Sequence, residues 1–229
     1  KEYQDFLKQK SNKKGTNPAT QSTATWSYVG NTSVPSGGGD AGRVNRVRFD
    51  PNNSNIVYAC APSGGLWKST NGGSSWTTNT DHLLAIGTSD VAIDPTNSNI
   101  MYLATGDGDG IMGGFTPPST IGVLKSTDGG NTWNQTGLHY TLQASGPSLT
   151  TINQLAINPQ NTQILLAASS AGLYYTSNGG ISWASVQGGN IKSVEFAPGN
   201  PNIVYASTSS AAFYRSADGG QTFSAVTLP

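Results

Sequence analysis

This chain has little charge, one cysteine and almost no glutamate or histidine. Only 10% of its 229 residues are charged, and 12 basic side chains balance 12 acidic ones. Five of the basic ones (Lys1, Lys8, Lys10, Lys13, Lys14) crowd into the N-terminal arm, leaving the rest mildly acidic. A nucleic-acid partner needs a basic stripe on the folded part, and that is excluded. No apolar run is long enough to cross a bilayer as a helix, so membrane insertion is not expected. Cys60 stands alone, which rules out a disulfide within the chain. Its apolar run, Ile56-Val-Tyr-Ala-Cys60, marks it as a small buried hydrophobe rather than a nucleophile. The histidines, His82 and His139, are single loop residues. Beyond the arm the only glutamate is Glu195.

Glycine is abundant, at 29 residues, and much of it falls in a repeat. Ser69-Thr-Asn-Gly-Gly-Ser-Ser-Trp76 returns as Ser126-Thr-Asp-Gly-Gly-Asn-Thr-Trp133, Thr176-Ser-Asn-Gly-Gly-Ile-Ser-Trp183 and Ser216-Ala-Asp-Gly-Gly-Gln-Thr-Phe223. Each copy reads as one tight turn. The Asp or Asn oxygen accepts backbone N–H groups just ahead of it, and the glycine pair supplies positive φ. Asn71 and Asn178 keep the acceptor of Asp128 and Asp218 without its charge, which suits a turn and not a metal ligand. Upstream of each copy lie three short strand patterns. The first set is Val47-Arg-Phe-Asp-Pro51, Asn55-Ile-Val-Tyr-Ala59 and Gly65-Leu-Trp-Lys-Ser69. Strand, Pro/Asn turn, strand, loop, strand, glycine turn, strand is a four-stranded unit, and its recurrence about every 40 to 50 residues predicts an all-β propeller.

The glycine turn resembles the Asp-box (BNR) repeat of sialidases, sortilin-type receptors and xyloglucan-cleaving glycoside hydrolases. In those families the box is a structural turn between the third and fourth strands of a blade, away from the ligand face. Trp76, Trp133, Trp183 and Phe223 are therefore expected in equivalent buried positions, with Asn71, Asp128, Asn178 and Asp218 as turn acceptors. The expected domains are an N-terminal arm and linker over 1–24 and a propeller over 25–229. Its blades fall at about 43–80, 88–137, 152–187 and 191–228, and 25–30 around Trp26 serves as a closing strand. Four blades with a detached strand read as part of a larger ring.

Ligands are expected on the loop face opposite the boxes. The candidate ligand-binding residues there are Asp81, His82, Asp90, Asp107, Asp109, Phe115, His139 and Tyr140. Phe115 and Tyr140 stack on a sugar or partner side chain, or else anchor their own loops. Asp107 and Asp109 offer oxygen ligands to calcium, although a metal-free Gly-rich loop is the simpler reading and no other cofactor is expected. Catalytic residues are not evident. A glycosidase needs two carboxyl groups across the scissile bond, and Glu195 sits within a strand. The xyloglucan-cleaving family implies a catalytic Asp in the first blade, but the matching stretch Tyr58-Ala-Cys-Ala-Pro-Ser-Gly-Gly65 places Pro62 there. Arg43, Arg46 and Arg48 share one strand and cannot converge like a sialidase triad.

The closest overall likeness is to exported proteins of Bacteroidetes-type bacteria labelled sortilin-like or BNR glycosyl hydrolase. It rests on Trp26, Gly42-Arg-Val-Asn-Arg-Val-Arg-Phe-Asp-Pro51, Ser63-Gly-Gly-Leu-Trp-Lys-Ser69 and Gly106-Asp-Gly-Asp109. The expectation is a secreted or cell-surface, non-catalytic module for adhesion, binding or assembly. Its partner would be a surface glycan, a protein or further domains of the same chain. The alternative is part of a carbohydrate-active glycoside hydrolase.

Overall fold

The computed structural model describes residues 43–227, apart from 79, 86, 110–119 and 142–149. Trp26, the 25–30 strand and Phe115 lie outside the described residues. The described chain forms an arc of a β-propeller, built as four antiparallel sheets of four strands each, every sheet ordered as its sequence. The first blade holds β1 (Arg46–Asp50), β2 (Asn53–Ala61), β3 (Gly65–Ser69) and β4 (Thr77–Thr78). The second holds β5 (Thr88–Ile93), β6 (Met101–Thr105), β7 (Gly122–Ser126) and β8 (Asn134–His139). The third holds β9 (Ile152–Ile157), β10 (Leu165–Ser169), β11 (Gly172–Thr176) and β12 (Ala184–Gly188). The fourth holds β13 (Ile191–Ala197), β14 (Asn200–Thr208), β15 (Phe213–Ser216) and β16 (Ser224–Ala225).

The core lies between blades, not within them. Tyr58, Cys60 and Leu66 of the first blade meet Val91, Met101 and Leu103 of the second. Tyr102, Ala104 and Val123 turn the other way, onto Ile152, Leu155 and Leu165 of the third. Leu166, Ala168 and Leu173 then face Val194, Val204 and Ala206 of the fourth. This is why β6 and β10 are continuous apolar runs without alternation, since a strand buried on both faces has no polar side. Each such buried aliphatic side chain contributes about 1.5–3 kcal/mol by leaving water. Cys60 is fully buried in the first of these layers, and burial pushes its thiol pKa up, so it stays an inert hydrophobe.

Each box closes the same way. The Ser126 hydroxyl donates to Asp128 Oδ1 at 2.8 Å while receiving the Gly130 N–H at 2.9 Å. Asp128 also accepts the Thr132 N–H at 2.8 Å and the Thr132 hydroxyl at 2.6 Å. Asn71 accepts the Ser75 N–H at 2.9 Å and gives its own amide hydrogen to the Ser75 hydroxyl at 2.9 Å, replacing the charge with a donor. Asn178 does likewise with Ser182. The paired glycines all have positive φ, from 64° at Gly179 to 94° at Gly220. The first glycine of each box then ties the turn to its own blade, as Gly129 N–H donates to the Asn99 carbonyl at 3.0 Å.

The box aromatics occupy equivalent positions but are not buried as expected. Trp133, Trp183 and Phe223 are half-buried, and Trp76 is 37% exposed. The indoles fold back over their own turns, where Trp76 Nε1 donates to the Gly73 carbonyl at 3.0 Å and Trp183 Nε1 to the Gly180 carbonyl at 3.2 Å. An aromatic that caps a surface turn keeps one face in water.

These turns predict an acid response. Hydrogen bonds from Thr132 and Ser126 lower the Asp128 pKa from 3.8 to about 2. At Asp218 slight burial opposes the charged form, yet bonds from Thr222 and Ser216 win and the pKa also falls to about 2. A depressed carboxylate stabilises the fold above its unfolded pKa and loses that contribution as pH falls through the folded value. Replacing both by Asn should therefore flatten the decline of the melting temperature between pH 4 and pH 2, relative to the parent chain, in a thermal melt series.

Candidate functional site

The first strand of each blade is innermost, and β1, β5, β9 and β13 stand side by side. Together they wall a groove of about 320 Å³ lined by Arg48, Phe49, Leu155, Ile157, Glu195 and Phe196 among others. Behind this wall Asp90 is completely buried. Arg48 of β1 grips it with two bonds, Nε to Oδ1 and Nη2 to Oδ2, both 2.8 Å. The Leu155 N–H of β9 reaches Oδ2 at 3.0 Å, and the Val91 N–H reaches Oδ1 at 2.9 Å. One carboxylate thus joins three blades. Its hydrogen bond holds the Arg48 guanidinium proton more firmly than usual, against the opposing effect of burial. The fourth blade is joined by amide chemistry. Gln154 Nε2 donates to Glu195 Oε1 at 2.6 Å, and Gln154 Oε1 accepts the Val194 N–H at 3.2 Å.

Residues 106–109 follow β6 at the end of the sheets opposite the boxes, whereas the lining of the groove runs the other way, to Pro51, Pro95 and Pro159 near the box turns. Asp107 pairs with Arg43 and accepts from Asn45 Nδ2 at 3.1 Å, both from the approach to β1. The Gly108 N–H donates to the Ser89 hydroxyl of β5 at 2.8 Å. The Gly108 carbonyl accepts Lys192 Nζ of β13 at 2.7 Å. A Cβ at Gly108 would lie 2.8 Å from the Asn153 Cα of β9, so only glycine lets the loop lie this close. All four blades therefore hold this loop.

The structure separates the residues singled out from sequence. Asp107 and Asp109 lie at the end of the sheets opposite the boxes, with Asp107 buried and Asp109 exposed beside it. Asp90 is no loop residue. It is the third residue of β5, and its oxygens are already occupied by Arg48 and two backbone N–H groups. Asp81 and His82 are exposed in the turn after β4. His139 ends β8, exposed, with Nδ1 3.0 Å from the Thr136 carbonyl. Tyr140 packs against the layer between the second and third blades, and burial raises its hydroxyl pKa. No hydrogen bond among the described residues links Asp81, His82 or His139 to the Asp107 cluster. A cation at Asp107 would have to displace the Arg43 guanidinium, and among the described residues no group of three or more His, Cys, Asp or Glu side chains is placed to hold a metal. Pro62 lies in the turn between β2 and β3, buried. Sequence reasoning missed the cross-blade partners of Arg43, Arg48 and Gln154, because pairing between blades leaves no local spacing to read.

No protein-family model matches the chain. Among curated proteins it is 30% identical over 157 residues to a xyloglucanase of Hypocrea jecorina, covering 65% of this chain and 18% of that protein. It is 28% identical over 223 residues to the xyloglucanase Xgh74A of Acetivibrio thermocellus, covering 82% of this chain and 26% of that one. The crystal structure of an ancestral GH74 enzyme superposes with a TM-score of 0.64 at 27% identity, over 82% of this chain and 24% of that chain. The chain spans about a quarter or less of the length of these relatives. They are enzymes. That overturns the expectation of a non-catalytic adhesion or binding module, and with it the leaning against an enzyme, in favour of the glycoside hydrolase alternative. The negative argument counted carboxylates over a length that matches only about a quarter or less of these enzymes.

The Gly108 contact yields a direct prediction. Gly108→Ala should cost about 1–3 kcal/mol in urea denaturation, because the methyl meets backbone that cannot yield cheaply. An Asp109→Asn chain should unfold like the parent, since that side chain is exposed.

Proposed function

We propose that this chain is one arc of the Asp-box propeller of a secreted glycoside hydrolase of the GH74 kind, acting on a xyloglucan-type β-glucan. What carries the reading is that 82% of the chain aligns with a protein named as a xyloglucanase. The geometry suits a wall of a sugar-binding cleft. Phe49, 63% exposed, and Phe196 flank Glu195 along the groove, offering ring faces for stacking and a carboxylate for hydroxyl hydrogen bonds. Asp109 is exposed at the other end of the sheets, where residues 106–109 are held by all four blades.

The arc supplies binding rather than the acid–base pair. Asp50 and Asp94 cap the turns after β1 and β5, accepting the Asn52 and Thr96 N–H groups at 2.8 Å. Asp128 and Asp218 are spent in boxes, Asp90 and Asp107 in ion pairs, and Pro62 can neither give nor take a proton. The pair that flanks the scissile bond then comes from the remaining length of the enzyme. An extracellular location fits a polymeric substrate too large to enter a cell.

The test is turnover of xyloglucan by the full-length polypeptide, set beside mixed-linkage β-glucan and sialosides. Release of xyloglucan oligosaccharides is expected. Glu195→Gln and Asp109→Asn should each raise KM about 5-fold, the loss of one hydrogen bond near 1 kcal/mol, with kcat little changed. Absence of turnover on every glucan, with the protein folded, would overturn the reading.

A further inference from the structure

The blades hold one another through a repeated seat. At one register of each blade, the second and third strands present a cross-strand pair to the next blade. Tyr58 opposes Lys68, Tyr102 opposes Lys125, Leu166 opposes Tyr175 and Tyr205 opposes Arg215. Three of these pairs carry the glycine turn of the following box. Lys68 Nζ lies 5.5 Å over the Tyr58 ring and donates to the Gly129 carbonyl at 3.3 Å. Lys125 Nζ lies 5.2 Å over the Tyr102 ring and donates to the Gly179 carbonyl at 3.0 Å, which also takes the Tyr102 hydroxyl at 3.1 Å. In the third blade the pair is apolar. Leu166 Cδ1 lies 2.7 Å from where a Cβ on Gly220 would sit, and Tyr175 feels the charge of Asp218 in the same box.

The second and third seats pack closely on a guest glycine. A Cβ on Gly179 would fall 3.1 Å from Lys125 Nζ, and one on Gly180 would fall 3.4 Å from Tyr102 Cε1. The recognised group is a glycine-pair turn that shows a bare carbonyl to a cation and a bare edge to a ring. In the occupied seats Tyr58 is 2% exposed, and Tyr102 and Leu166 are fully buried.

The fourth pair has the same chemistry, and among the described residues no guest sits on it. Tyr205 is 38% exposed and stacks on Phe213 at 5.5 Å, with Arg215 exposed beside it. Arginine in place of lysine keeps the carbonyl-directed donor and adds a planar face for the ring. We propose that Tyr205 and Arg215 are the seat for the box turn of a further blade, carried on the remaining length of the enzyme. The choice of source rests on the reading above, in which relatives of about four times this length contain the arc. The expected guest is a Ser/Thr-x-Asp/Asn-Gly-Gly turn whose first glycine carbonyl accepts from Arg215.

Hydroxyl-radical footprinting read by mass spectrometry tests this without a substitution, using Tyr58 and Tyr102 as internal standards for an occupied seat. In the 229-residue chain Tyr205 should be modified far faster than either. In the full-length polypeptide its rate should fall to theirs, whether or not that protein cleaves xyloglucan. Rapid modification of Tyr205 in the full-length polypeptide would overturn the proposal. So would protection in the 229-residue chain that grows with concentration, because the guest would then be a second copy. Arg215→Glu in the full-length polypeptide should restore rapid Tyr205 modification while Tyr58 and Tyr102 stay protected; continued protection of Tyr205 would remove Arg215 from the seat.

Discussion

The buried carboxylate of Asp90 is the constraint on which the inner wall depends. A charge fully removed from water is tolerated only when paired and hydrogen-bonded, and here, beside the Val91 N–H of its own strand, the bonds that satisfy it come from β1 and β9 of the neighbouring blades. β1, β5 and β9 therefore cannot separate without exposing it or leaving it unpaired. That rigidity sets the spacing of the groove-lining side chains, from Phe49 on one flank to Glu195 on the other. The apolar layers supply most of the driving force, but they are non-directional. The Arg48 fork fixes register and orientation, which a layer of Leu and Val does less sharply.

A division of labour follows along each blade. Each box turn is closed locally, because Ser126, Asp128, Gly130 and Thr132 satisfy one another within a few residues, and the neighbouring blade only adds a donor to its glycine carbonyl. The opposite end is assembled from distant pieces. The loop at Gly108 has partners from all four blades, none adjacent in sequence. An exposed residue such as Asp109 can change without touching the boxes, and the boxes can lack a charge, as at Asn71 and Asn178, without touching the groove.

The same division explains what was legible in the sequence. The four boxes and the apolar runs around Tyr102 and Leu166 announce blades because their physics is short-range and repeats. Asp90 was misplaced in a loop for the opposite reason. Nothing near Thr88-Ser-Asp-Val91 says that Arg48, more than forty residues earlier, will reach it. The box aromatics misled in a smaller way, because Trp76 and Trp183 satisfy their indole N–H on the turn itself and have no need to be buried. Function was misread from the carboxylate count. Among the described residues most acids serve architecture, so their scarcity at the groove says little about the function, and the relatives that overturn the reading are about four times as long.

The account turns on coupling between blades through one ion pair, and a double-mutant cycle on Arg48→Ala and Asp90→Ala measures it most directly. Each single change should cost about 3–5 kcal/mol in urea denaturation, because it leaves one charge of the pair without its partner. The double change should cost well under the sum, with a coupling energy above about 2 kcal/mol, the remainder reflecting the orphaned Leu155 N–H. Costs that add to within about 0.5 kcal/mol would show that Arg48 and Asp90 act independently, and the inner wall would have to be held by its apolar layers alone.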